Sequence, residues 1–371
     1  MLQQARGLRF TALVRDLPET VPFVGPEAQE RARGRPFRAR VGANESVFGP
    51  SPKVIAATQQ AAADAWMYCD PENHDLKVAL AHYHGVRPEN IVVGEGIDGL
   101  LGLAVRLVIE PGDVVVTSLG AYPTFNYHVT GFGGRLVRVP YVHDHEDPDA
   151  LLDAARREDA RLIYFANPDN PMGSWWNAAD VQSLIERVPA RTLLLLDEAY
   201  SDTAPPETVS PLDVSNPQVL RLRTFSKAYG LAGLRVGYGI GEATLIKSFD
   251  KIRNHFGVNR LGQIAALAAL ADQHYLANVV REIAESRHRI GAIAAANGLK
   301  ALPSATNFVA IDCGRDGHFA RRVLDELVAR DVFVRMPGVR PLDRCIRVSV
   351  GRAGDLDILA EALPQALRAA A

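Results

Sequence analysis

The stretch Thr224-Phe-Ser-Lys-Ala-Tyr-Gly-Leu-Ala-Gly-Leu-Arg-Val-Gly-Tyr238 decides how the rest of the chain is arranged. It overlaps the end of an apolar, strand-like run over 219–225, sets Lys227 just beyond that run, and passes through small residues into a second apolar run over 234–240. An amine held at a strand end and partly desolvated has a lowered pKa and can attack a carbonyl. Lysine is scarce here: of the 41 Lys and Arg residues only Lys53, Lys77, Lys227, Lys247, Lys251 and Lys300 are lysines. Where charge alone is wanted the chain uses arginine, which stays protonated and forms no imine. Lys227 is therefore expected to carry an aldehyde cofactor as a Schiff base; its bland reading is a solvated lysine at a helix start.

Working outward, short apolar runs at 91–93, 114–117, 136–139, 162–165, 193–196, 220–225 and 234–240 alternate with helix-length segments such as 97–109 and 178–188. That order predicts an α/β three-layer sandwich with a seven-stranded, mostly parallel sheet, its ligands gathered at the carboxyl ends of the strands. Helices are also expected over 53–64 and 73–83. Past residue 260 the rhythm changes to a long helical stretch (261–297), a strand at 308–311, a helix at 318–329, strands at 332–335 and 346–350, and a last helix near 356–368. This predicts an Arg- and Pro-rich arm (1–40) packing with the small domain, a large cofactor-binding domain (41–262) and a smaller α/β C-terminal domain (263–371).

The composition, 47% hydrophobic and 23% charged with a net charge of −2 over 371 residues, fits a soluble enzyme without bias toward nucleic acid or membrane. The first 18 residues hold no apolar signal-like run. Three scattered cysteines, Cys69, Cys313 and Cys345, suggest neither disulfides nor a zinc site. The expected location is the reducing cytoplasm, with no metal.

Several residues are candidates for the chemistry. Asp197 ends Thr192-Leu-Leu-Leu-Leu-Asp197, so its carboxylate sits at the rim of a buried strand, where a protonated pyridine nitrogen would pair with it; a solvated strand end is the alternative. Tyr200 could reach the same ligand. Asn170, in the turn Asn167-Pro-Asp-Asn-Pro-Met-Gly173, could donate to a ring oxygen. Gly94-Glu-Gly-Ile-Asp-Gly99 opens a helix whose first amides, near Gly96, Ile97 and Asp98, suit a phosphate. Its literal G-x-G-x-x-G invites a dinucleotide reading, but the next strand ends in Thr117-Ser118 rather than the acid that holds a ribose. Arg235 could clamp the same phosphate. Tyr122 could stack on a planar ring or pack in the core. Arg347, placed by alternation on the polar face of its strand with Cys345 and Ser349, could hold a carboxylate or face water; Arg335 poses the same choice.

Together these pieces resemble the fold-type I, pyridoxal-phosphate-dependent aminotransferases, most closely the histidinol-phosphate aminotransferase branch, over nearly the whole chain. Asn167 to Gly173 resembles that family's N-P-x-N-P-x-G, Asp197-Glu-Ala-Tyr200 its D-E-A-Y, and Thr224 to Arg235 its T-x-S-K-A-x-G-L-A-G-L-R. The resemblance implies that Lys227 binds the cofactor covalently, Asp197 pairs with the pyridinium nitrogen, Asn170 and Tyr200 contact the ring hydroxyl, and Tyr122 stacks on the ring. Thr224, Ser226, Arg235 and the amides at Gly96, Ile97 and Asp98 lie at the phosphate, and Arg347 receives the substrate carboxylate, with Arg335 and Asn44 beside it. It implies a homodimer in which Tyr68 reaches the other subunit's phosphate. Three motifs depart from the branch: its G-[AS]-D-E phosphate loop becomes Gly96-Ile-Asp-Gly99, which keeps the amides but loses an acid, Phe23 replaces the tyrosine of its P-Y-x-P-G latch within Val21-Pro-Phe-Val-Gly25, and Phe48 that of N-E-N-P-Y-G within Asn44-Glu-Ser-Val-Phe-Gly49. The expected activity is amino-group transfer between an amino acid or phosphorylated amine and a 2-oxo acid. A decarboxylase or lyase of the threonine-phosphate decarboxylase kind is the alternative, ahead of a ligand-sensing module or a nicotinamide-dependent dehydrogenase.

Overall fold

A computed structural model describes residues 8–19 and 24–371; Phe23 and most of its motif lie outside them. In chain order the strands are β1 (Ala39–Arg40), β2 (Ile91–Gly94), β3 (Val114–Ser118), β4 (Arg135–Val139), β5 (Leu162–Ala166), β6 (Leu193–Asp197), β7 (Val219–Thr224), β8 (Gly237–Ile240), β9 (Lys300–Ala301), β10 (Phe308–Asp312), β11 (Val332–Phe333) and β12 (Cys345–Ser349). Seven of them form one sheet in the order β2-β8-β7-β6-β5-β3-β4. Only β8 runs against its neighbours, so the sheet is mostly parallel, as the alternation of apolar runs and helices implies.

The four leucines of β6 show why this chain makes layers. Side chains alternate across a strand: Leu193 and Leu195 enter the core on one face, Leu194 and Leu196 the core on the other. Each buried leucine contributes about 1.5–3 kcal/mol, so a shift of one residue gains nothing in apolar burial and would misplace Asp197. β5 obeys the same parity, with Leu162, Tyr164 and Ala166 on the first face and Ile163 and Phe165 on the second.

The second unit holds the antiparallel sheet β12-β10-β9 and the parallel pair β1-β11. Its core joins Ala39 and Val41 to Ile346, Val348 and the helix Ala353–Ala370. Three details differ from the sequence reading. The stretch 261–297 is two helices, Arg260–Leu270 and Gln273–Ala296. They part at Asp272, whose backbone leaves helical angles (φ −108°, ψ 59°) and whose carboxylate receives Lys53 Nζ at 3.1 Å. β12 has no water-facing side, because one face meets the small core while Cys345, Arg347 and Ser349 are buried on the other. The arm contains a helix, Pro26–Arg33, begun by proline after Gly25 and stopped by Gly34 at φ 70°, the asymmetry proline and glycine impose on helix ends. No helix among the described residues is long and apolar enough to cross a membrane, and Cys69, Cys313 and Cys345 are all buried free thiols.

Candidate active site

β5, β6 and β7 run parallel, and the double reversal through β8 sets β2 parallel to them. Their carboxyl ends therefore open on one edge, where a cavity of about 800 Å3 lies. Asp197, the last residue of β6, is 7% exposed. Its Oδ2 accepts the Tyr164 hydroxyl at 2.7 Å and its Oδ1 the Ala199 amide at 2.9 Å. No Lys, Arg or His nitrogen among the described residues comes within 4 Å of it. Burial pushes this carboxyl above its ordinary range, against the lowering effect of these donors and of Lys227. A carboxylate so placed is costly until a cation reaches it.

Lys227 follows β7 at the same edge. Its Nζ donates to the Asn44 carbonyl at 3.1 Å and lies 5.4 Å from the Tyr200 ring centre. Burial lowers its pKa to about 8; the charge of Arg347 adds to the lowering while Asp197 opposes it. Asn44 adopts φ 57° and is pinned on several sides. Its amide N–H and Oδ1 both meet the Ser349 hydroxyl, at 2.9 and 3.0 Å, and its carbonyl accepts Asn307 Nδ2 at 2.9 Å. Its own Nδ2 donates to the Tyr200 oxygen at 3.1 Å. Asn170 turns its Oδ1 to Arg347 Nη1. Arg347 and Arg335 join in an antiparallel backbone bridge, and both line the cavity. Burial, then the positive charge of Arg347, lowers Arg335 to about 10. Arg335 Nη2 also donates to the Val24 carbonyl at 2.6 Å, and Gly25, Pro26 and Glu27 form the nearby wall.

The opposite end of the cavity is a polar cup. The helix Gly96–Val108 starts there, and Ile97 and Asp98 line the cavity. The Ser226 amide donates to Thr224 Oγ1 at 3.0 Å, and the two hydroxyls are also 3.0 Å apart. Arg235 is a left-handed turn residue before β8, not a strand residue (φ 56°), and donates to the Ala232 carbonyl at 3.0 Å. Gly96 has φ 77°, and a Cβ there would sit 2.4 Å from Arg235 Nη2. Only glycine leaves the guanidinium beside the helix amides, a positive cradle for a phosphate. Tyr122 lines the wall just before the helix Pro123–Gly131, its phenol pushed to about 12 by burial. An amine with a lowered pKa, a buried carboxylate lacking its cation and a phosphate cradle are the donor set pyridoxal phosphate requires, so the residues fit that cofactor.

Tyr68 is not among the lining residues: it is 80% exposed and packs on Phe256 at 4.9 Å between ring centres. Phe48 packs against the core of Val54, Leu76 and Tyr229, away from the cavity. Sequence reasoning missed Tyr164, Asn307 and Ser349. The parity of β5 and β6, which puts Tyr164 on the same face as Asp197, is the signal that could have found the first.

Comparison with known proteins shows the family and the fold. The profile of the family described as Aminotransferase class I and II matches residues 40–363. The histidinol-phosphate aminotransferase of Moorella thermoacetica is 34% identical over 351 residues, 94% of this chain and 90% of that protein. Histidinol-phosphate aminotransferase 1 of Mesorhizobium japonicum is 36% identical over 335 residues, 89% and 90% of the two chains. The crystal structure of the histidinol-phosphate aminotransferase from Sinorhizobium meliloti with pyridoxal-5'-phosphate matches with a TM-score of 0.97 and 57% identity, over 100% of both chains. The aspartate aminotransferase of Thermus thermophilus with maleate shares the fold at 21% identity and a TM-score of 0.80, over 97% and 100% of the two chains. The chain thus belongs to the class I and II aminotransferases and is a pyridoxal-phosphate-dependent aminotransferase.

Proposed function

We propose that the chain transaminates histidinol phosphate against a 2-oxo acid, as a cytoplasmic homodimer. The Arg335–Arg347 pair carries this reading. Histidinol phosphate offers a phosphate ester where an amino acid offers a carboxylate, and the acceptor brings a carboxylate to the same place. A buried guanidinium, Arg347, and a half-buried one, Arg335, that repel one another gain by receiving either anion, the dianion most. The relatives named for histidinol phosphate support the choice. Phe48, packed away from the cavity, does not oppose it.

The test compares turnover of histidinol phosphate, histidinol and histidine. Arg347→Gln is expected to raise KM for the phosphate ester by about 10²-fold, the cost of removing one partner of a buried charged contact, with a smaller change in kcat. Histidinol used as efficiently as its phosphate would defeat the reading.

Bound pyridoxal phosphate supplies the aldehyde that takes the amino group and a ring that draws electrons from the substrate Cα. In the proposed roles, Lys227 takes the proton from Cα and returns it across the site. Asp197, held by Tyr164, keeps a proton on the ring nitrogen. Asn170 and Tyr200 orient the ring hydroxyl, Tyr122 covers the ring face, and Asn44 fixes the position of Lys227. Gly96, Ile97, Asp98, Thr224, Ser226 and Arg235 hold the phosphate. Gly96→Ala should therefore weaken cofactor binding on the order of tenfold, from backbone strain and a displaced Arg235, as read by titrating apoprotein with cofactor; unchanged affinity would remove the cradle from the account.

The homodimer part of the proposal rests on Trp66, Tyr68 and Phe256, which are 82%, 80% and 50% exposed. Large aromatics exposed together are what an interface buries. Tyr68 of the partner subunit would then complete each phosphate site.

A further inference from the structure

Behind the substrate side of the cavity lie two carboxyl groups with no cation against them. Glu146 is 1% exposed and Asp169 2%, and no basic nitrogen among the described residues approaches either within 4 Å. The loop that carries Asp169 is bonded to Glu146 at both ends, the Ala166 amide to Oε1 at 3.1 Å and Trp176 Nε1 to the Glu146 carbonyl at 2.9 Å, and the two carboxyls act on one another. Two neighbouring carboxylates in a dry site do not both ionise, so the pair holds a proton.

Counting donors does not place that proton. Asp169 accepts the Tyr141 hydroxyl at 2.7 Å and the Met172 amide at 3.0 Å. Glu146 accepts the Ser118 hydroxyl at 2.6 Å and the Ala166 amide at 3.1 Å. Arg347 breaks the tie: it is bonded to Asn170, the residue next to Asp169, and its positive charge lowers Asp169. The proton therefore belongs to Glu146 and the charge to Asp169. Asp169 precedes Asn170, which accepts from Arg347, and Arg347 has no carboxylate within 4 Å among the described residues.

We propose that Glu146 and Asp169 share one proton as a positioning pair whose single negative charge balances Arg347, and that Asp169 takes up a proton from solvent when a substrate anion docks on that arginine. This rests on Arg347 as the anion site. Burial lifts both carboxyls, Glu146 well above its ordinary range and Asp169 to about 7. The groups around them are the phenols of Tyr141, Tyr164 and Tyr200, all pushed upward by burial and so protonated near neutral pH. Beyond these lie the Arg344–Asp144 ion pair and the His145 ring packed on Trp176. Lys227 is occupied by the cofactor in the holoenzyme. Asp169 is thus the group of this cluster placed to titrate against Arg347.

The probe is the 2-oxo acid acceptor, whose carboxylates stay ionised above pH 6. In the holoenzyme its KM should rise about fivefold as pH passes through 7 and Asp169 becomes charged. Asp169→Asn should hold KM at the low value with no such rise, and kcat should move less than KM. Glu146→Gln, whose amide keeps a donor toward Asp169, should retain the wild-type profile. Calorimetry of wild type near pH 7, in buffers of different ionisation enthalpy, should show fractional proton uptake on binding, larger than in Asp169→Asn. An unchanged slope in Asp169→Asn, a lost slope in Glu146→Gln, or no proton uptake by wild type would each overturn the proposal. Arg347→Gln separates the two readings: unchanged KM there removes the anion site itself, whatever the acid pair does.

Discussion

Lys227→Ala is expected to lower kcat for transamination by at least about 10⁴-fold, the upper range for a positioned acid–base group, and to abolish borohydride fixation of pyridoxal phosphate at residue 227. The structure gives the reason in the surroundings of the amine. Nζ has one hydrogen-bond acceptor, the Asn44 carbonyl at 3.1 Å, and no carboxylate partner within 4 Å among the described residues. Burial and then the charge of Arg347 depress its pKa to about 8, so the neutral amine forms far more readily than on an ordinary lysine. No other lysine lines the cavity, so no neighbour can replace it. The stability of the apoprotein provides a separate check with a definite sign. At pH 7 the amine is protonated in both folded and unfolded chains, and the folded chain bears the cost of burying the charge. Between pH 8 and the ordinary lysine pKa of 10.5 the unfolded chain binds more protons than the folded one, so wild-type stability rises with pH across that window. Alanine removes the effect. Melting curves should therefore favour the variant more at pH 7 than at pH 10, and activity above a hundredth of wild type would refute the assignment.

How far the site could be read beforehand depends on whether a residue's partner is local. Lys227 stood out because lysine is rare and this one lies at a strand end. Asp197 stood out because four leucines precede it, and their parity fixes its face. The seven strands were legible for the same reason, each being a short apolar run between amphipathic segments. Tyr164 was not, because it sits inside the apolar run 162–166 and its phenol meets Asp197 only through the β5–β6 register. Glu146 reads as one more solvated acid in His143-Asp-His-Glu-Asp147; its burial is set by Ser118 and the Ala166 amide, both distant in sequence. The helix Pro26–Arg33 carries no apolar stripe, and of its residues only Pro26 is buried. Ion pairs from Glu30 to Arg40 and from Arg33 to Asp331 hold it instead, and such contacts leave no periodic trace.

Asp197→Asn is the second large effect, expected to lower kcat by about 10²–10³-fold, the usual loss when one preorganised electrostatic contact to developing charge is removed. The amide keeps the size and the place of the carboxylate, so cofactor position changes little; what is lost, on the proposed pairing, is the negative charge that would keep the ring nitrogen protonated and the ring electron-poor. Tyr164→Phe isolates the support from the charge. It deletes the 2.7 Å donor to Oδ2 while the Ala199 amide still holds Oδ1, and a loss of roughly tenfold is expected from one missing buried hydrogen bond. The pH dependence of stability again has a fixed sign. Burial raises the Asp197 pKa, so between the ordinary value of 3.8 and its raised value the folded apoprotein binds more protons than the unfolded chain. Its stability falls as pH climbs through that interval. Asparagine has nothing to titrate, so Asp197→Asn should gain in melting temperature relative to wild type on going from pH 4 to pH 7. Bound cofactor should shrink that gain by supplying the cation the carboxylate lacks. If kcat were unchanged and bound cofactor did not shrink the gain in melting temperature, Asp197 would be an ordinary buried acid and the pairing with the ring nitrogen would have to be abandoned.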